Sequence, residues 1–100
     1  MTKIWTITYS AKTAKERKKL PKNIQIQLDL LARELELKGP LRTNWSHFGT
    51  LKKKKGIPEN SYHCHLKSGK PTYVVCWYML NKTLKIVEIY YAGTHEKAPY

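Results

Sequence analysis

The sequence predicts an α+β domain: a strand, a two-helix hairpin, then a basic antiparallel sheet. Three observations predict it. Residues 22–38 carry Ile24, Leu28, Leu31 and Leu35 at spacings of four, three and four, which is the helical period. Ser61–Lys67, Thr72–Leu80 and Leu84–Tyr91 are dense in β-branched and aromatic residues and read as strands. The 100 residues are 41% hydrophobic, which supplies one small core and no second, so residues 1–100 read as a single domain.

Ile4–Tyr9 (IWTITY) has the same β-branched and aromatic character and reads as the first strand. Ser10 follows and can cap a helix, because its hydroxyl oxygen accepts an N–H of the first turn. Ala11–Leu20 is then a short, highly basic helix with little apolar surface, and Pro21 closes it and opens the next. Gly39-Pro40 stops the second helix, since Gly tolerates the left-handed cap and Pro cannot continue the turn. A lesser stripe on that helix, Ile26, Leu30 and Leu37, is expected to pack against the first helix; the alternative is an exposed patch that another chain covers. Ser46–Leu51 is a further candidate strand. Thr72–Leu80 (TYVVCWYML) is apolar on both faces, as a central strand is, and Asn81-Lys82-Thr83 joins it to Leu84–Tyr91 as a hairpin. The expected sheet has three or four antiparallel strands, with the helices on one face.

Nineteen Lys and Arg against seven Asp and Glu leave a net charge of +12, and an excess of that size points to a polyanionic partner. No apolar run approaches the roughly 18 residues of a membrane span. MTKIWTITYSAK at the start lacks the apolar stretch of a signal peptide, so a cytoplasmic protein is expected, neither secreted nor membrane-inserted. Cys64 and Cys76 are too few for a disulfide framework and are read as reduced thiols.

Strand alternation puts Tyr62, Cys64 and Leu66 of Ser61–Lys67 on one face and His63, His65 and Lys67 on the other. His95, in Gly93-Thr94-His95-Glu96 past the last strand, can reach back across the sheet toward those imidazoles. Lys52, Lys53, Lys54, Lys55 and Lys70 fall in loops and strand ends flanking the same region. Taken singly, the His-x-His pair also fits a solvated strand face, and the lysine run a solvated loop. Taken together they suit cleavage of an RNA phosphodiester: a base removes the 2′-hydroxyl proton, cations stabilise charge on phosphorus, and an acid protonates the leaving 5′-oxygen. An unperturbed imidazole titrates near 6.5 and serves in either proton role. Histidines two apart on a strand can share a metal ion, but no carboxylate cluster accompanies them, and neither a metal nor another cofactor is expected. The basic first helix (Lys12, Lys15, Arg17, Lys18, Lys19) is expected to contact phosphates. Among Trp77, Tyr78, Tyr90, Tyr91 and Tyr100, an exposed ring near the histidines could stack on a base.

The segments YHCHLKSGKPTYVVCWYM (62–79) and IVEIYYAGTHEKAPY (86–100) resemble the core and tail of the RelE/ParE superfamily of bacterial toxins, on its RelE/HigB-like side, and the likeness extends more loosely over nearly the whole chain. The resemblance implies a toxin of a toxin–antitoxin pair. Such a toxin enters the ribosomal A site, contacts 16S rRNA and cuts mRNA without a metal, and a cognate antitoxin neutralises it. His63 and His65 stand where RelE carries two lysines, and relatives such as HigB and YafQ use histidines in their sites. His95 falls on the later Arg or His position, and Tyr100, with a one-residue shift, on the tail tyrosine. These four are the implied catalytic residues, with Lys52–Lys55, Lys67 and Lys70 holding phosphate. RelE's arginine on the next strand has no clean counterpart, Thr72 occupying its place. ParE-type members inhibit DNA gyrase and cut nothing, and they generally lack the histidine set. A gyrase inhibitor, or a noncatalytic RNA-binding protein, is the alternative.

Overall fold

The computed structural model describes residues 4–100. β1 (Thr6–Tyr9) leads into α1 (Ala11–Lys19) and α2 (Lys22–Lys38), and β2 (Gly49–Leu51), β3 (Ser61–Lys67), β4 (Tyr73–Asn81) and β5 (Ile86–Thr94) follow, ending in a 3-10 turn at His95–Lys97. All five strands form one sheet in the order β1-β5-β4-β3-β2. The expectation of three or four strands is thereby corrected. The helical hairpin crosses a face of the sheet from one edge to the other, so β1 pairs in parallel with β5, Thr6 opposite Ile86, while every other pairing is antiparallel.

Local chemistry sets the helix ends. Ser10 caps α1, its Oγ accepting the Thr13 N–H at 3.1 Å. Gly39 stops α2 at φ 91°, its N–H still reaching Leu35 O, and a Cβ there would lie 2.8 Å from the Trp5 ring nitrogen. Ile24, Leu28, Leu31 and Leu35 are fully buried against Cys64, Val75, Trp77, Val87 and Ile89, forming the helix-side core. Truncating one of these leucines to alanine costs about 2–5 kcal/mol. Trp77 donates its indole N–H to Pro40 O at 3.1 Å, which pins the chain leaving α2 to the central strand.

Ile26 and Leu30 do not pack against α1; each is 51% exposed. Helix α1 is too polar to cover them, Thr13 being its one buried residue. The two helices are joined instead by a charged fork, Arg17 Nε and NH2 donating to Asp29 at 3.0 and 2.7 Å.

Strand bounds shift from the expected ones. Of Ser46–Leu51 only Gly49–Leu51 is strand, because His47 takes φ 56°. The last strand runs Ile86–Thr94 rather than Leu84–Tyr91, because Asn81 Oδ1 accepts the Leu84 N–H and Lys85 sits at φ 55°, holding a wider turn. Bulges in β3 and β5 break strict alternation. The one between His65 and Lys67 sets Lys67 opposite Tyr73, which packs on the helix-side core. Lys67 therefore leaves the face that holds His63 and His65, contrary to simple alternation.

The second face of the sheet is also partly covered. Val74, Cys76 and Tyr91 are buried there beneath Leu51, Tyr90, Ala98 and Tyr100. Cys64 belongs to the helix-side core and Cys76 to this one, and both are free thiols.

Candidate active site

The face away from the helices gathers histidines from three chain segments. β3 supplies His63 and His65, each half-buried. Gly49 on β2 opposes His63, and a Cβ at that glycine would approach His63 Nε2 to 3.1 Å, so the absent side chain leaves room for the ring. The His65 N–H donates to Ser46 O at 2.8 Å, which ties the loop before β2 to the site. In that loop His47, with its Nδ1 2.8 Å from Ser46 Oγ, stacks on His65 at 4.0 Å between ring centroids and 16° between planes.

The tail closes the other side. The His95 N–H donates to Thr72 O at 2.8 Å, anchoring the turn to the start of β4. His95 then meets His65 edge-on at 5.8 Å. Tyr100 lies 4.6 Å from the His63 ring and 5.6 Å, edge-on, from His95. The structure thus brings together His63, His65, His95 and Tyr100, the four residues the resemblance implies, and adds His47. Sequence reading passed over His47 because only its loop conformation, a left-handed residue two positions before a glycine facing His63, brings it in.

The electrostatics favour uncharged rings. Burial holds the His63 imidazole below its ordinary pKa, with the positive charge of His95 and His47 acting the same way. Burial lowers His65 too, followed by His47, His95 and His63. At neutral pH both rings are therefore proton acceptors. Burial, then the neighbouring Cys76 and Cys64, pushes the Tyr100 hydroxyl up to about 12, so it stays protonated and keeps a hydrogen to donate. Among the described residues, His63 Nδ1 and Tyr100 Oη are buried here with no hydrogen-bond partner. Buried polar groups normally find one, so this pair is what an incoming polar ligand would satisfy.

Among the described residues no three His, Cys, Asp or Glu side chains are placed to hold an ion. The face-to-face stack of His47 on His65 turns ring faces, not nitrogen lone pairs, toward one another. Thiol chemistry is equally remote, since burial drives both cysteine pKa values far upward.

The cations are less well assembled. Lys70 lies beside His95 in a cleft of about 470 Å³ that also includes Thr72 and Thr94. Lys67 is on the other face, as described. Leu51 pairs with Ser61 at the start of β3, so exposed Lys52–Lys55 begin beyond that point, roughly 7 Å or more along the strand from His63 and roughly 13 Å from His65. Arg42 is spent internally, its guanidinium donating to Gly39 O and Glu34.

No protein-family model matches this chain, and no curated protein matches it. Solved structures do. A mutant of the E. coli toxin RelE in the free state is 19% identical, with a TM-score of 0.66 over 93% of this chain and 85% of that one. RelE of the RelE–RelB complex from Pyrococcus horikoshii OT3 is 17% identical, with a TM-score of 0.65 over 98% and 100%. The intact E. coli RelBE toxin–antitoxin complex gives 21%, 0.59, and coverage of 89% and 94%. The chain therefore has the RelE fold. No helix among the described residues is long and apolar enough to cross a membrane.

Proposed function

We propose that this chain is the toxin of a toxin–antitoxin pair and an endoribonuclease that cuts mRNA on the ribosome in the cytoplasm, without a metal. The observation that carries the reading is the contact of His65 with His47 on one side and His95 on the other, on a sheet face of a RelE fold. A neutral imidazole there takes the proton of a ribose 2′-hydroxyl. The 2′-oxygen bonds to phosphorus as the P–O5′ bond breaks, leaving a 2′,3′-cyclic phosphate, and a protonated imidazole of the same cluster gives its proton to the departing 5′-oxygen. Close packing of imidazoles suits this exchange, because protonating one ring lowers the proton affinity of the next. Lys70, which shares a cleft with His95, is a fixed cation for the phosphate, and the Tyr100 hydroxyl is a donor for a phosphate oxygen.

The net charge of +12 fits a partner made of rRNA and mRNA. The RelB-bound structures of the same fold support a protein antitoxin, for which the exposed Ile26 and Leu30 offer apolar surface. Primer extension on an mRNA in a translating extract tests the reading. Discrete cuts that vanish with His65→Ala are expected. Intact mRNA with accumulating cleaved DNA–gyrase complexes would instead establish the gyrase-inhibitor alternative.

A further inference from the structure

A second cleft, of about 480 Å³, opens between α1 and the C-terminal end of β5. Lys12, Glu16 and Lys19 line it from one face of α1, and Lys97 closes it from the turn after β5. Lys12 and Lys19 are seven residues apart, two helical turns, so their stems leave α1 about 10.5 Å apart along its axis. Glu16 is already engaged: one oxygen accepts the Ala92 N–H at 3.2 Å and the other lies 3.7 Å from Lys12 Nζ. It positions Lys12 and fixes the helix to β5. Lys19 and Lys97 also line this cleft, neither within ion-pair distance of a carboxylate among the described residues, and Tyr73 adds an aromatic wall.

Thr94 borders this cleft and also the one holding Lys70 and His95. The two depressions therefore lie on either side of one residue at the end of β5, close enough for a linear polyanion crossing the histidines to extend toward the second. We propose that the cleft between α1 and β5 is a backbone-binding subsite for the same RNA strand, holding phosphates outside the cut through Lys19 and Lys97 while Tyr73 offers a ring for a base to stack on. The inference rests on the reading of the histidine face as an RNA site, and extends it to a place the histidines do not reach. It also separates the lysines of α1, since Lys15 and Lys18 do not line the cleft.

Fluorescence anisotropy with uncleavable 2′-O-methyl oligoribonucleotides tests it, using a trinucleotide that covers the histidines alone and a nonanucleotide that reaches both clefts. Each neutralised phosphate contributes about 0.7 to the dependence of log affinity on log salt for a single strand, so Lys19→Gln with Lys97→Gln should lower the nonanucleotide slope by about 1.4. The trinucleotide should be unaffected, while His65→Ala weakens both. An unchanged nonanucleotide slope in the double variant, with His65→Ala still weakening binding, overturns the cleft and leaves the histidine reading standing. Parent protein that binds neither oligonucleotide overturns both. A nona-glutamate peptide whose binding alone responds to the double variant would give the cleft to an acidic protein segment and overturn the RNA assignment.

Discussion

Tyr100→Phe should stabilise the fold and weaken cleavage at the same time. The Tyr100 hydroxyl is buried with no partner among the described residues, while its ring covers Val74 and Cys76 and contacts His63. Phenylalanine keeps the ring and removes the unsatisfied oxygen. Leaving such a group buried costs about 1–3 kcal/mol, and the half-buried position of the residue as a whole favours the low end. A gain near 1 kcal/mol raises the melting temperature by about 4–8 °C for a chain of this size. The chemistry moves the other way. A hydrogen bond to a charged group is worth about 1.5–3 kcal/mol, so losing one that forms only to the phosphate slows cutting by about 10- to 100-fold. Thermal unfolding and primer extension on the same preparation read both effects. A destabilised variant, or one that cuts at the parental rate, would refute the reasoning, the first by showing a hidden partner for the hydroxyl and the second by removing Tyr100 from the site.

Other expectations follow from the same geometry. His65→Ala and His95→Ala should each retain the fold and lose about 10²- to 10⁴-fold in rate, with growth arrest abolished; toxicity undiminished in both would dismiss the cluster. Because His63 and His65 are held below the unfolded value, the unfolded chain binds more protons as pH falls through about 6.5. Stability should therefore be complete above that pH and decline below it, with the decline reduced in His63→Gln; a melting temperature flat from pH 7.5 to 5 would contradict the burial of these rings. Replacing Lys52–Lys55 by glutamine should lower the salt dependence of ribosome cosedimentation without slowing cleavage of a ribosome-free RNA, since the run lies at the far end of β3.

The parts of this molecule legible in its sequence are those governed by period and by turn chemistry. The stripe Ile24, Leu28, Leu31, Leu35 could face only a core, and Ser10 and Gly39 mark helix ends by what their backbones and side chains permit. The outer stripe misled because periodicity shows that a face is apolar but not what lies over it, and α1 holds α2 through Arg17 and Asp29 instead. Lys67 was misplaced by a bulge, which inserts one residue without a strong local signal. His63, His65, His95 and Tyr100 could be set on one site because alternation and the likeness of the tail agree. His47 depended on a left-handed loop residue that no pattern reports. The tail carries structure as well as two of the proposed site residues: β5 extends to Thr94, which pairs with Tyr73, its carbonyl accepts the Tyr91 hydroxyl at 2.6 Å, and Ala98 and Tyr100 roof the second core. Truncation after Gly93 would therefore damage the sheet, and point substitutions are the sounder probe of His95.

The central claim is that the histidine cluster turns the substrate's own 2′-hydroxyl into the nucleophile. An mRNA carrying a single 2′-deoxynucleotide immediately 5′ to a mapped cut, assayed with the purified protein on programmed ribosomes, tests it most directly. Cutting at that position should disappear, with binding and neighbouring cuts unchanged. Cleavage at the parental rate through the deoxynucleotide would show that another nucleophile does the work, and that the imidazoles of β3, its flanking loop and the tail are not the catalytic base.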